Sequence, residues 1–291
     1  MTTASIVTYN HTLNDIEQAL LSLLQSDVSH IYIIDHSDEG NRHLKAELTA
    51  FGRKMIDCDT GINKRCRAGR LSVTYHEHEN IGYGGGHNVA IRMAMTAGSK
   101  YHIVVNPDVW FGQEVIPAMK EYMDNHEDVG QMMPKVLFPD GTIQRLCKLL
   151  PTPLDMFCRL CLPPFIIGRR TYRYELRKTE YASIMNVPYL SGCFMFMRLS
   201  ALEKVGLFDE NFFMYAEDID MTRRIHRQYK TLLFPEVCIT HKFSRASRKS
   251  LKLLLIHIKN IFMYFNKYGW LHDNERKTVN KITLEECGYY S

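Results

Sequence analysis

The sequence predicts an α/β fold with a mostly parallel central sheet flanked by helices, and two stretches carry that prediction. Residues up to Asp35 read strand, helix, strand, a βαβ unit whose right-handed crossover makes its two strands parallel. Farther on, the β-branched run Ile103-Val104-Val105 stops at Asn106-Pro107-Asp108, because Pro107 has no N–H to give to a ladder. A carboxylate is thereby left at the mouth of a sheet. Ligands of open α/β proteins bind at that edge, and an aspartate there can hold Mg2+ or Mn2+ against substrate phosphates. Read alone, the tripeptide is simply a turn former.

Taken in order, Ser5 to Tyr9 is the first strand, and Asn10 to Asn14 is a polar loop that caps a helix. On that helix Ile16, Ala19, Leu20, Leu23 and Leu24 recur at helical spacing. His30 to Ile34 is the second strand, and parallel pairing puts Asp35 on the same sheet edge as Tyr9 and Asn10. Residues 39–70 are charged and punctuated by glycine, with one short helix, and Leu71 to Tyr75 is a third strand. The run from Glu79 and Asn80 through Gly82-Tyr83-Gly84-Gly85-Gly86-His87-Asn88 reads as a glycine-rich turn feeding a helix with Val89, Ile91, Met93 and Ala94. Bare N–H groups at such a helix start suit phosphate. The dinucleotide fingerprint fits poorly, since it needs glycine where His87 stands and belongs after a first strand, not a third.

Beyond the central strand, Gln113 to Met123 is a helix, Val129 to Met133 a short strand, and Phe138-Pro139-Asp140-Gly141-Thr142 a hairpin turn. Leu149 to Arg177 has no clear period. Pro151, Pro153, Pro163 and Pro164 sit there among apolar residues, with Arg169, Arg170, Arg173 and Arg177 following, which suits either a core loop or an exposed surface for a lipid-linked partner. Val187 to Met197 is apolar enough for a strand buried on both faces, and Leu199 to Val205 is a short helix closed by Gly206. Leu232 to Thr240 is the last strand, ending at His241.

Glu217, Asp218 and Asp220 open a helix that continues through Ile225. Acids at a helix start are stabilised by the dipole alone. The preceding Phe212-Phe213-Met214-Tyr215 adds an apolar wall, and a carboxylate against such a wall is fitted to act as a base. For Asp218 burial and the helix N-terminus act in opposite directions, so it is expected to stay ionised near neutral pH.

A chain of 291 residues is long for one domain and suits one domain plus an extension. We place a catalytic domain at 1–241 and a helical extension packed on it at 242–291. In that extension Leu251, Leu254, Leu255, Ile258, Ile261, Phe262 and Phe265 follow helical spacing, with Lys252, Lys259 and Lys267 elsewhere on the cylinder. Together with the basic cluster Lys242, Arg245, Arg248 and Lys249, this helix either packs on the domain or makes a peripheral contact with an anionic membrane. A net charge of +4 is too small to argue for nucleic acid. Eight scattered cysteines read as reduced thiols, and the Cys158–Cys161 pair lacks the second pair a zinc site needs. With no basic leader and no run of membrane-span length, the expected location is the cytoplasm, or the cytoplasmic face of the inner membrane.

In this order Val7-Thr8-Tyr9-Asn10, Ile34-Asp35-His36-Ser37, Asn80-Ile81-Gly82 through Asn88, Asn106-Pro107-Asp108, Pro139-Asp140-Gly141, Ser191-Gly192, Phe208-Asp209-Glu210 through Glu217-Asp218, and His241 resemble the family 2 glycosyltransferases of the GT-A fold, in particular their bacterial rhamnosyltransferase-like branch. Each motif is weak alone, whereas their order and spacing along nearly the whole chain are specific. The resemblance implies that Thr8, Tyr9, Asn10 and Asp35 hold the base and ribose of a nucleotide sugar. Asn80, Gly82, Gly86 and Asn88 would line the nucleotide and diphosphate, with Asn106 and Gly192 also in the donor site. Asp108, in the place of the family's Asp-x-Asp motif, would bind Mg2+ or Mn2+, and His241 would complete that site. Asp218 would be the general base, with Glu217 assisting the donor sugar or the acceptor. Asn106 departs from the pattern, since it removes one negative charge from the metal motif.

The implied chemistry is inverting transfer of a sugar, with rhamnose a candidate, from a nucleoside-diphosphate donor to a hydroxyl of a glycan or polyprenyl-linked acceptor in cell-surface polysaccharide synthesis. One protein carboxylate suffices, because the metal does the leaving-group work that a general acid does in a glycosidase. The alternative is a catalytically silent member of the fold that binds nucleotide sugars or scaffolds an assembly. Asp108, Asp218 and His241 occurring together argue against it.

Overall fold

The computed structural model describes residues 1–39, 43–57, 69–161, 164–243 and 250–290. Gly40, Gly61, Cys58, Cys66, Pro163, Arg245, Arg248 and Lys249 lie outside the described residues.

β1 (Thr2–Thr8), α1 (Leu13–Gln25) and β2 (His30–Asp35) form the expected βαβ unit, with Thr8 opposite Asp35 in a parallel register. Thr12 opens α1 with a capping box, its N–H donating to the Asp15 carboxylate at 2.8 Å, and Ile16, Ala19, Leu20, Leu23 and Leu24 form the buried face. α2 (Leu44–Asp57) leads to the edge strand β3 (Ser72–Glu77), which runs past the expected end at Tyr75.

α3 (Gly82–Thr96) corrects the reading of the glycine run, because the glycines lie inside the helix and not in a turn before it. Their purpose there is close approach. A Cβ on Gly86 would lie 2.7 Å from the His36 ring, and one on Gly84 would lie 2.9 Å from Phe208. Gly82, at the helix start, has φ +83° and would drive a Cβ to 2.1 Å from the Phe213 carbonyl oxygen.

The central strand β4 (Tyr101–Val105) ends where Pro107 requires, and Val109–Phe111 is a further short strand, β5, before α4 (Val115–Asn125). β6 (Val129–Leu137) is nearly twice the expected length and passes into the hairpin turn, where the Phe138 N–H donates to the Thr142 carbonyl at 2.8 Å. Residues 149–177, irregular by pattern, hold two helices after β7 (Cys147–Lys148), namely α5 (Pro153–Cys161) and α6 (Pro164–Tyr174). Both start at proline, whose missing N–H costs nothing in a first turn, so the prolines start these helices without interrupting them. β8 (Met185–Asn186), β9 (Tyr189–Leu190) and β10 (Phe194–Arg198) divide the apolar run into short strands, with Gly192 in the break. α7 (Leu199–Val205), α8 (Glu217–His226), β11 (Lys230–His241), α9 (Leu251–Tyr268) and α10 (Asn274–Glu286) complete the described chain.

The main sheet has the order β3-β2-β1-β4-β10-β6-β11-β5, with β8 added to β11, while β7 and β9 pair separately. β3, β2, β1 and β4 are mutually parallel, β10 runs against β4 and β6, and β11 is parallel to β6. Alternating side chains divide the core. Ile31, Ile33, Ile103 and Phe196 face α1 and α4, whereas Tyr32, Ile34, Val104 and Met197 face α3, α7 and α8. These directions bring the ends of β1, β2, β4 and β11 and the start of β10 to one edge.

A buried polar chain crosses this core. Ser5 Oγ lies 2.7 Å from His87 Nδ1 and 2.8 Å from His102 Nε2, and Thr3 Oγ1 lies 2.8 Å from His102 Nδ1. Burial pushes His102 down to about 3 and His36 down to about 4, and holds His87 well below the usual histidine value. The unfolded chain therefore binds protons that the folded one refuses. Their contribution to stability is whole above the ordinary histidine pKa of about 6.5 and is lost as pH falls from there through the folded values. Urea unfolding at stepwise lower pH is expected to show stability declining from about pH 6.5 downward; a flat profile to pH 4.5 would contradict the neutral assignment.

The C-terminal helices are anchored by charge as well as by apolar packing. Arg223 of α8 makes a bidentate pair with Asp273 at 2.7 and 2.8 Å, reaches Glu275 at 2.6 Å, and stacks its guanidinium 4.0 Å from the Tyr268 ring. Among the described residues no helix is long and apolar enough to cross a membrane.

Candidate active site

The sheet edge carries two joined groups of side chains. At the ends of β1 and β2, Asp35 is fully buried and accepts from Thr8 Oγ1 at 2.9 Å, Ser37 Oγ at 2.6 Å, the Ser37 N–H at 3.1 Å and the Tyr75 hydroxyl at 2.5 Å. Burial alone would raise its pKa, but the bonds from Ser37, Tyr75 and Thr8 outweigh it and hold the carboxyl below the usual range. Ser37 Oγ in turn accepts from the Asn10 N–H at 2.7 Å, and this fixes Asn10 in a left-handed conformation of φ 55°. Tyr9 and Asn10 are the exposed rim of this group, with Thr8 and Asp35 beneath them.

The second group is centred on Tyr83, which the glycine run conceals. Its hydroxyl lies 3.0 Å from Asn106 Oδ1 and 2.7 Å from the Gly192 carbonyl. Burial pushes this phenol well above its ordinary value, and the charges of Glu217, Cys193, Asp218 and Asp108 push it in the same direction. The Gly192 N–H donates to Asp218 Oδ2 at 3.0 Å, which places the strand break between the Asn106 loop and the carboxylate. A side chain on Gly192 would press on Asp218, since a Cβ there would lie 3.2 Å from the Asp218 Cβ.

Asp218 is the second residue of α8, whose first residue, Glu217, follows two left-handed residues, Tyr215 at φ 70° and Ala216 at φ 69°. Such backbone is strained for residues with a side chain, and neighbouring groups must hold it. α9 does so here: Asn260 Nδ2 donates to the Met214 carbonyl at 2.7 Å, and His257 stacks on Tyr215 at 4.6 Å. The Asp218 carboxylate also accepts from the Ile219 N–H at 2.8 Å and the Tyr189 hydroxyl at 3.4 Å. Burial raises its pKa, with Gly192, the charge of Lys148, Ile219 and Tyr189 opposing, and the net direction is up. Glu217 is raised well above its ordinary value by burial and by Asp218, and its Oε2 is buried with no hydrogen-bond partner. With donors aimed at Asp218 and none at Glu217 Oε2, the pair's proton belongs on Glu217 and its charge on Asp218. Asp220 is different. It is saturated by Arg224 at 2.8 Å, Lys267 at 2.7 Å and the Tyr268 hydroxyl at 2.7 Å, which makes it an anchor for α9.

On the far side of Asn106, Asp108 Oδ1 stands 3.2 Å from His241 Nε2. The ring is oriented by Gln144, whose amide N–H groups go to the His241 and Leu137 carbonyls at 2.6 and 3.3 Å, leaving Oε1 to face His241 Nδ1 at 3.0 Å. Nδ1 therefore carries a proton, and Nε2 is turned to Asp108. Burial opposes the imidazolium, but the Cys193 sulfur and Asp108 outweigh it and push His241 up to about 10. The same histidine, against the effect of burial, holds Asp108 below the usual carboxylate range. Neighbouring ligands on an octahedral ion with bonds of about 2.1 Å lie about 3.0 Å apart, so this pair has the separation that one divalent cation requires. Among the described residues no cluster of three or more His, Cys, Asp or Glu side chains is gathered.

The edge thus brings together Thr8, Asp35 and Asn10 in one group and Asn106, Asp108, Gly192, Glu217, Asp218 and His241 in the other. Gly82 donates its N–H to Asn80 Oδ1 at 3.2 Å and directly precedes Tyr83. Gly86 and Asn88 are placed elsewhere. Gly86 packs on His36 and Val7, and the Asn88 amide is spent on the Phe208 carbonyl at 2.9 Å, the Phe208 N–H at 3.0 Å and Glu210 at 2.8 Å. Asn88 therefore fastens the loop that precedes the acidic pair. Tyr83, Gln144, Lys148 and Tyr189 are site residues that pattern reading passes over. Tyr83 lies within a motif and Tyr189 within the apolar run, but nothing local marks Gln144 or Lys148.

No family model matches the chain. It is 30% identical over 204 residues to an N-acetylglucosaminyl-diphospho-decaprenol L-rhamnosyltransferase of Mycobacterium tuberculosis, a match spanning 66% of each chain and so just under two thirds of that relative. It is 25% identical over 213 residues to the rhamnosyltransferase WbbL of Escherichia coli, covering 69% of this chain and 76% of that one. Two solved structures share the fold. One is GalNAc-T7 with UDP, GalNAc and Mn2+, with a TM-score of 0.59 and 14% identity over 99% of this chain and 56% of that one. The other is the mannosyltransferase PcManGT of Pyrobaculum calidifontis with GDP-Man and Mn2+, with a TM-score of 0.54 and 14% identity over 100% of this chain and 75% of that one. From the order of the strands, the residues at their ends and these likenesses, the chain belongs to the family 2 glycosyltransferases of the GT-A fold.

Proposed function

We propose that this protein is an inverting, metal-dependent glycosyltransferase that moves a hexose, with rhamnose the first candidate, from a nucleoside-diphosphate donor to a hydroxyl of a polyprenyl-linked saccharide. The observation that supports the reading is that Tyr83 and Gly192 link a held carboxylate, Asp218, to Asn106, two residues before the Asp108 that pairs with His241. The names of the Mycobacterium and Escherichia relatives support the sugar, and the former supports the acceptor. Residues 1–241 are the catalytic domain in this reading and 242–291 an extension that locks the acidic loop, working at the cytoplasmic face of the membrane.

Asp108 and His241 would hold Mg2+ or Mn2+, which when bound neutralises charge on the departing diphosphate. The exposed rim at Tyr9, Asn10 and Asn80 receives the base and ribose, supported from below by Thr8 and Asp35. Asp218 takes the proton of the acceptor hydroxyl as its oxygen attacks the anomeric carbon from the face opposite the phosphate, so the configuration inverts. Glu217, holding a proton, donates a hydrogen bond to the sugar or the acceptor and does not compete as a base.

The test is thermal unfolding with UDP, dTDP or GDP, each with and without Mn2+, followed by turnover on a panel of their sugars. Stabilisation that requires both nucleotide and metal, then transfer, is the expected result. Indifference to every pair would favour a silent scaffold. Gln144→Leu deprives the His241 Nδ1 proton of its acceptor, and Mn2+-dependent nucleotide affinity is expected to fall about tenfold to a hundredfold, the usual scale for a lost partner of a metal-binding histidine. Calorimetry with and without Mn2+ measures it, and an unchanged metal dependence would remove Gln144 from this role.

A further inference from the structure

Away from the sheet edge, α5 and α9 are separated by an apolar groove of about 750 Å³. Leu154 and Phe157 form the α5 wall, Ile258 and Phe262 the α9 wall, and Trp270 and Leu271 follow from the turn into α10. Leu154 is 53% exposed, Phe157 58%, Phe262 53% and Leu271 75%, a concentration of bare apolar surface in one concave place. The volume lies in the ordinary range for small-ligand sites, about 300–1,000 Å³. The charged residues lining it are Arg170, Arg276 and Lys277, with no acid among the lining residues. Arg170 is paired with Asp155 at 2.6 Å, and Arg276 is buried against backbone carbonyls, so Lys277 is the exposed cation of the rim.

The groove is one helix away from the acidic loop. Ile261 and Phe265 line it and also pack with Phe212, Ala216 and Ile219, the last of which adjoins Asp218. The same helix grips the loop through Asn260. A ligand seated here therefore lies across α9 from the loop that carries Asp218, the carboxylate proposed to deprotonate the acceptor.

We propose that this groove binds the isoprenoid chain of a prenyl-phosphate-linked acceptor, with Lys277 at the rim facing its phosphates. This deepens the transferase reading above and rests on it. Three features select this occupant: a trough takes a single chain where a bilayer would need a flat or convex face, the rim is cationic as a phosphate requires, and a relative at 30% identity is named for a diphospho-decaprenol substrate. An amphipathic protein helix would instead call for acids on its own polar face, and a second copy of this chain would set cation against cation.

The probe is geranylgeranyl diphosphate below its aggregation concentration, titrated into the full chain while tryptophan fluorescence is followed. Trp270 lines the groove, and Trp270→Phe assigns the signal against Trp110, the other tryptophan. Saturable binding is expected, weaker for geranylgeraniol, with inorganic pyrophosphate failing to displace the chain. Leu154→Glu and Phe262→Glu change exposed side chains and should leave thermal unfolding in place, yet weaken binding about tenfold or more each, the scale of one lost large apolar contact. Absence of saturable binding, or wild-type affinity in both variants, overturns the proposal. So does flotation with acidic liposomes that both variants abolish while monomeric prenyl diphosphate does not bind, since the face would then be a bilayer contact. Nucleotide and Mn2+ binding reads the donor site independently, so its loss would fail the transferase reading and not the groove.

Discussion

Asp218→Asn is expected to keep nucleotide-sugar affinity while lowering turnover by about a hundredfold or more, the scale of losing a general base. In the proposed mechanism the carboxylate acts on the acceptor, so the donor site retains its own contacts. Asn has nearly the same shape but one acceptor fewer, and its NH2 must face either the Gly192 or the Ile219 N–H. That mismatch costs about 1–3 kcal/mol of stability, which is why thermal unfolding must be measured beside turnover. In the native enzyme burial holds Asp218 above the ordinary carboxylate range, so the rate should rise with pH along an acid limb displaced upward, and the variant should lose that limb. Near-normal turnover in Asp218→Asn would transfer the role to Glu217. Asp220 is no substitute, since its oxygens are taken by Arg224, Lys267 and Tyr268.

Asp108→Ala should act earlier, abolishing metal-dependent nucleotide binding and turnover together. It removes the carboxylate oxygen that stands 3.2 Å from His241 Nε2, and one imidazole with no partner ligand holds a hard cation poorly. Asn106 cannot compensate. Its Oδ1 is neutral and lies 3.0 Å from the Tyr83 hydroxyl. Calorimetric titration of nucleoside diphosphate with and without Mn2+ distinguishes the outcomes: in the variant the two curves should coincide, and a persistent Mn2+ dependence would mean that the cation is held elsewhere. The two variants separate the halves of the proposal, because one spares donor binding and the other destroys it.

The positions of these residues were legible to different degrees. Asp35, Asp108 and His241 each follow a β-branched or apolar run, and a run that stops at a polar residue marks a strand end wherever it occurs. The glycines of α3 were misread because local composition cannot distinguish glycine needed for a turn from glycine needed for close approach. The answer depends on Phe208 and His36, which come from other parts of the chain. Residues 149–177 looked irregular for a similar reason: proline at a helix start and proline in a loop are the same letter, and only the folded chain, with Pro153 and Pro164 each opening a helix, shows which is present. Asn88 sat in a motif, yet its amide is engaged by the Phe208 backbone and Glu210, partners that no local pattern shows.

By itself the sequence determined the strand and helix periods, the identity of the residue at each strand end, and the order of the motifs that mark the family. These are local properties, set by alternation of apolar side chains and by where proline and glycine allow the backbone to go. The tertiary structure decided which residues meet. Gln144 reaches His241 across 97 positions, Tyr83 reaches Gly192 across 109, and Asn88 reaches Phe208 across 120. No periodicity records such pairs, because burial requires only that a side chain be apolar on the proper face, whereas a hydrogen bond at 2.7 Å requires two particular backbones to be brought into register. Sheet order and the packing of α9 on the acidic loop supply that register, and with it the hydrogen-bonded Asp218 and the oriented His241.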